Sequence, residues 1–282
     1  MPLSDAIAPM GRFQLDLGVR NPETPFHDHR KFPIVSEAAA PAKATPLFYA
    51  APVVLEAARH STLGLLPHAD FAFTAGANAI PVNMAEFAQA GVWYPIVFTG
   101  TDSVSPVAVV GVRKAQNLFV DGAGKWTEGA YVPAYARRHP FILTRPDAAK
   151  DQVLLCVDRA SNRLVEGAGE AFFEGTEATV TTRNAMDYCL NFQRQAMATE
   201  QVTKVLIEHE LLVAQTGTLD LPGGEKVRLT DFQIVDEKKL NALSDEAFMD
   251  LRRRGALAMA YCQMMSMNNW SRLTNLAAAH GV

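Results

Sequence analysis

The sequence predicts an α+β protein, with an antiparallel β-meander in the first half and helices in the C-terminal half. Three observations carry this. Short runs rich in Val, Ile and Phe, cut by Gly, Pro, Asp and Ser, crowd the stretch from Pro46 to Asp158. Helical spacing without Pro or Gly sets in near Ala185. No repeat period runs through the chain.

Residues 1–45 read differently from the rest. Seven prolines punctuate Pro2 to Pro46, and "SEAAAPAKATP" has the texture of a linker. We expect a Pro/Ala-rich extension here and one folded domain over residues 46–282. Within it, "VNMAEFAQAGV" reads as a short helix, with Asn83 as N-cap and Glu86 three residues later. "YPIVFTG", "SPVAVVGV" and "QNLFVDGAGKW" follow as three β-rich runs, the last turned at "DGAGKW", where Asp and Gly tolerate positive φ. "PFILTR" and "QVLLCVD" read as two more strands. Ala185 to about Gln215 reads as one long helix, and "TLDLPGGEKVRLTDFQIVD" as a hairpin turned at "PGGE". "LSDEAFMDLRRRG" is a helix capped by Ser244, with acids early and arginines late as the helix dipole favours. "ALAMAYCQMMSMNNWSRLTNLAAAH" completes the chain as a terminal helix.

The composition narrows the function classes. The chain has 282 residues, 49% of them hydrophobic and 20% charged, which suffices for a sizeable core. A net charge of −4 argues against a broad nucleic-acid-binding face. Cys156, Cys189 and Cys262 show no CxxC spacing, so we expect reduced, buried thiols and a cytoplasmic protein. "MPLSDAIAPMGRF" is expected not to be a secretory signal, because it has an early acid and no basic-then-apolar order. No run reaches the roughly 18 apolar residues of a membrane helix.

Candidate chemistry is sparse. "PHAD" places His68 and Asp70 at the spacing of two-thirds of a non-haem iron triad. His139 or His209 would then be the third ligand, and Arg145 a clamp for a 2-oxoglutarate carboxylate. The plainer reading of "PHAD" is a loop histidine beside a turn-capping aspartate. "FHDHR" offers His27 and His29, but in a segment that preorganises nothing. His209 lies between Glu208 and Glu210, and neighbours one apart diverge on a helix. "GAGKW" and "EGAGEAFFEG" miss the phosphate-loop frames, and no GxSxG occurs.

The densest constellation is "YVPAYARRHPF", Tyr131 to Phe141. Residues before proline avoid the helical region, so Val132 and His139 are non-helical and "AYARR" forms at most a turn or two of helix. One of Arg137 and Arg138 is expected to face inward with Trp126, Tyr131 and Tyr135. An inward arginine needs a carboxylate, either an internal one such as Glu86, Asp121 or Asp158, or one on a ligand.

The ordered blocks "PLFYAAPVVL", Arg59–His60, "DFAFTAG", "IPVNMAEFAQA", "YPIVF", "PVAVVGV", "QNLFVDGAGKW", "YVPAYARRHPF", "FQIVDEKKLNAL" and "MSMNNWSRL" resemble the bacterial SapC family, named for a protein linked to surface layers. The resemblance implies a cytoplasmic accessory or binding protein connected with cell-envelope or surface-layer protein handling. It brings no established catalytic residues. It adds His60 to Trp126, Tyr131, Tyr135, Arg137 and Arg138 as candidates for binding a peptide, protein or anionic ligand. The family usually has tyrosine where this chain has His139, and His68 falls outside its pattern. Both departures count against the iron-oxygenase alternative. No cofactor, nucleic acid or membrane insertion is expected, and a protein or peptide partner is.

Overall fold

A computed structural model describes residues 46–67, 70–101, 103–146, 152–221 and 226–280. The 1–45 extension lies outside them, as do His68 and the "PGGE" turn. The architecture is α+β, with antiparallel sheets mostly in the first half and helices mostly in the second. Chain contacts divide it into two units, one made of Asp70–Arg137 and Asn191–Val282, the other chiefly of Arg138–Leu190 and the described residues before Asp70.

The first unit is built on a five-stranded antiparallel sheet. Its order is Leu212–Asp220, Lys226–Val235, Ile96–Thr99, Ser105–Val109, Ala79–Pro81. The last three strands read as unbroken apolar runs because both their faces are buried, with Ile80, Val97, Phe98 and Ala108 fully inaccessible. Helix Ala256–Ser266 packs on this sheet. Its fully buried Gln263 donates to Ile96 O (3.0 Å) and accepts from Val235 N (3.1 Å), while Ser266 Oγ accepts from Ile96 N (2.9 Å). These two polar side chains in an apolar helix satisfy strand backbone that would otherwise be buried unpaired.

Three expectations need correction. "QNLFVDGAGKW" is a loop with one isolated bridge, Val120 to Trp126. Its side chains take the backbone donors: Asn117 Oδ1 accepts from Phe119 N, and Asp121 Oδ1 from Ala123 N and Lys125 N. The turn itself is where it was expected, with Gly124 at φ +78°. The long helix runs Val180–Glu208, and Leu212 to Gln215 belong to a strand. A Schellman motif ends it, with Leu211 N bonding Leu206 O and Glu210 N bonding Ile207 O. The residue at positive φ is Glu210 (+54°), so no glycine marks the stop. The terminal helix is likewise broken, into Ala256–Ser266, a 3-10 turn Met267–Asn269 and Trp270–Ala279.

The second unit holds a three-stranded sheet in the order Pro52–Val54, Leu154–Asp158, Phe141–Thr144, and a second in the order Leu164–Glu166, Leu63–Leu65, Glu170–Ala171. Leu55, Leu63, Phe141, Leu155, Val157 and Phe172 form its core. Gly64 is required there, since a Cβ would stand 1.9 Å from Ala168 O. Cys156 and Cys189 are buried free thiols that burial pushes up to about 12 and about 11, so both stay protonated and inert. Cys262 is half-buried.

Candidate functional site

In the first unit the sequence-predicted residues Trp126, Tyr131 and Arg137 join a network centred on Glu86. Asn83 and Glu86 form the expected capping box, in which Glu86 Oε2 accepts from Asn83 N (2.9 Å). Glu86 Oε1 accepts from the Tyr131 hydroxyl (2.9 Å) and from Ala134 N (2.6 Å), the first residue of helix Ala134–Arg137. A carboxylate only 6% exposed thus holds three donors on two chain segments. Arg137 reaches it indirectly. Its Nη2 donates to the Tyr131 hydroxyl (2.9 Å), its Nε to Val132 O (3.0 Å), and its guanidinium carbon lies 5.4 Å from the Tyr131 ring centre. Arg137 itself is exposed.

Tyr94 extends the network and was not among the expected site residues. Its hydroxyl donates to Tyr131 O and accepts from Trp126 Nε1 (3.1 Å). Its place beside proline in "WYPIVF" was the available signal, because a buried tyrosine at a strand entrance needs a partner for its hydroxyl. Burial raises both phenols, and at Tyr131 the Glu86 charge raises it further, so both hydroxyls remain donors. Trp126 and Phe119 line an open cavity of about 230 Å³ with Asp121, Lys125, Glu128 and His280. Tyr135 is a packing residue, buried and edge-on to Phe192 at 5.9 Å.

Arg138, His139 and His60 belong to the second unit. The Tyr49 ring is flanked by the Arg138 guanidinium carbon at 5.6 Å and the His139 ring at 5.4 Å. Asp158, 2% exposed, accepts from Ala50 N (3.0 Å), Ala51 N (2.7 Å) and Ala160 N (3.2 Å), and lies 3.6 Å from His139 Nε2. Burial alone would raise the Asp158 carboxyl, but the three backbone donors outweigh it and hold the group below its ordinary value. Arg163 donates to His139 O (3.1 Å) and to Leu66 O. His60 is buried, with Nδ1 at 3.1 Å from both the backbone N and O of Glu56, so it closes the turn Ala57–His60 on which it sits.

Burial pushes His139 below 6.5, against the attraction of Asp158 and with help from Arg163 and Arg138. His60 is lowered too, again chiefly by burial. A histidine depressed in the folded state is protonated first in the unfolded chain. Its contribution is therefore complete above pH 6.5 and is lost as pH falls below that value. We expect the urea midpoint to drop between about pH 7 and about pH 5, and His139→Phe, which keeps a ring beside Tyr49, to flatten part of that drop. A wild-type midpoint constant across the window would contradict the assignment.

Of the iron-triad residues, Asp70 Oδ1 accepts from Ala72 N (3.0 Å), two residues on, at the start of the turn Ala72–Thr74. His139 faces Asp158, and His68 lies outside the described residues. Among the described residues no group of three or more His, Cys, Asp or Glu is placed to hold a metal ion, and no helix is long and apolar enough to cross a membrane.

No curated protein and no solved structure shows a significant match to this chain. The sequence pattern of the SapC family does match, over residues 55–273. That span takes in Glu86, Tyr94, Trp126, Tyr131 and Arg137 as well as the Tyr49-facing Arg138 and His139, and nearly every strand and helix of both units. The chain belongs to the SapC family.

Proposed function

We propose that this protein is a non-enzymatic cytoplasmic accessory protein, linked to cell-envelope or surface-layer protein handling, that binds a peptide, protein or anionic ligand at the surface of Arg137 and Tyr131. The observation that carries the reading is the mounting of Arg137. An exposed guanidinium is held against a tyrosine whose hydroxyl is anchored on buried Glu86. Preorganisation of this kind reduces the entropy lost when a cation engages a carboxylate. Arginine and tyrosine are also the residues that dominate interface hot spots. Trp126 supports the same surface from beneath through Tyr94, whereas Tyr135 and His60 act as packing and turn-closing residues.

Fluorescence anisotropy of a panel of labelled Asp- and Glu-containing peptides with free C-termini tests this. Arg137→Ala is expected to weaken the best binder by about tenfold or more, with the urea midpoint unchanged because the side chain is exposed. Arg137→Lys keeps the charge without the planar fork and is expected to recover only part of the binding. Unfolding of Arg137→Ala, or unaltered affinity, would count against the reading.

A further inference from the structure

The cavity of about 230 Å³ beside Trp126 has an apolar floor and a charged rim. Leu118, Phe119 and Trp126 form the floor, each 6% exposed or less. Their polar groups are satisfied within the fold. Trp126 Nε1 donates to the Tyr94 hydroxyl (3.1 Å), Leu118 N to Val110 O (2.8 Å) and Phe119 N to Asn117 Oδ1 (2.9 Å), while Phe119 O accepts from Thr127 N (2.7 Å). The loop is also held from behind. Phe71 N donates to Gly124 O (2.7 Å), and the Phe71 ring stands edge-on to Trp126 at 5.5 Å. Gly124, at φ +78°, has no room for a Cβ, which would lie 2.8 Å from Asp70 Cβ.

The rim is different. Asp121, Lys125 and Glu128 rise from this fixed loop, all exposed, and His280 is brought to it from the end of helix Trp270–Ala279. Asp121 Oδ1 is engaged by Ala123 N and Lys125 N. Among the described residues, Asp121 Oδ2, the Lys125 ammonium, the Glu128 carboxylate and the His280 ring have no hydrogen-bonding or ionic partner. Opposite charges thus border one hollow without neutralising each other.

We infer that this cavity binds a small zwitterion with an apolar body, of the α-amino-acid class. Lys125 takes its carboxylate, Glu128 and Asp121 Oδ2 take its ammonium, and its side chain lies on the Trp126 floor. An acid without an amine would meet two carboxylates. An amine without an acid would leave Lys125 unpaired beside it, whereas a molecule carrying both signs answers the whole rim. The cavity is smaller than the roughly 300 Å³ at which pockets for drug-sized ligands begin, so a molecule the size of one residue suits it. Solvent screens the exposed rim, so the dissociation constant is on the order of 0.1–1 mM. The site does not use Arg137 and is independent of acidic-peptide binding there.

A ¹⁵N NMR titration of the full chain with L-phenylalanine tests this, alongside phenethylamine, which lacks the carboxylate, and hydrocinnamate, which lacks the amine. Saturable shifts are expected at the Trp126 indole N–H and at the Lys125 and Glu128 amides, with each analogue about fivefold weaker. Lys125→Ala is expected to weaken phenylalanine about fivefold and leave phenethylamine unaffected, and Glu128→Gln to weaken both. Urea midpoints are expected to stay unchanged, because both side chains are exposed. No shift with millimolar phenylalanine overturns the inference. So does either analogue binding as tightly as phenylalanine, since the site would then recognise a plain cation or anion. Affinities indifferent to both substitutions overturn it as well.

Discussion

Asp158→Ala is expected to lower the unfolding free energy by about 3–5 kcal/mol, measured by urea titration near neutral pH. The carboxylate is 2% exposed and accepts from three backbone N–H groups, two of them at Ala50 and Ala51, ahead of the strand Pro52–Val54. Alanine leaves all three donors without their acceptor. Asp158→Asn keeps one oxygen, retains the bonds from Ala51 and Ala160 at Oδ1, and is expected to lose roughly half as much. Because the Asp158 carboxyl is held below 3.8, its contribution is present above that pH and disappears as pH falls below it, a second acid step beneath that of the histidines. A loss under about 1 kcal/mol for alanine would show that Asp158 does not organise this unit.

Glu86→Ala is the second large effect, expected at about 2–4 kcal/mol. It removes the acceptor for Asn83 N, Tyr131 Oη and Ala134 N together, so a turn and a short helix lose their shared anchor. Glu86→Gln discriminates more finely. If the amide oxygen serves Tyr131 and Ala134, its NH₂ group must face the N–H of Asn83, a donor against a donor. An intermediate loss follows, with the capping turn weakened and the Tyr131 contact kept. On the present account Glu86→Ala also weakens peptide binding, since Tyr131 and Arg137 lose their mounting, whereas Glu86→Gln preserves most of it. Equal binding by wild type and Glu86→Ala would separate the network from recognition.

What was legible in the sequence follows the range of the interactions. Local signals were read correctly: the Asn83–Glu86 capping box, Ser244 as the N-cap of Asp245–Arg253, and the antiparallel pair Phe141–Thr144 and Leu154–Asp158. Each depends on neighbours within a few residues or on an apolar run with clear ends. The stop of the long helix was not legible, because Glu210 occupies a left-handed position that sequence rules assign to glycine or asparagine. The loop at "QNLFVDGAGKW" was hidden by its composition, since Val, Leu and Phe suggest a strand while Asn117 and Asp121 divert the backbone donors. The candidate site was half visible. Trp126, Tyr131 and Arg137 could be singled out as a cluster of residue types, and Glu86 could be named as one carboxylate among three. That Tyr131 stands between Arg137 and Glu86, and that Tyr94 links Trp126 to the Tyr131 backbone, are facts of tertiary packing, with Tyr131 and Glu86 45 residues apart and Trp126 and Tyr94 32. No spacing rule reaches that far.

The central claim is that Arg137, set in place by Tyr131 and Glu86, is the point of ligand contact. A ¹⁵N NMR titration of the wild-type chain with the best acidic peptide tests it most directly. The account predicts saturable shifts at the Arg137 side-chain Nε–H and at the Trp126 indole N–H, which Tyr94 connects to Tyr131, with the same dissociation constant at both. Shifts confined to other residues while these two resonances stay fixed would contradict it.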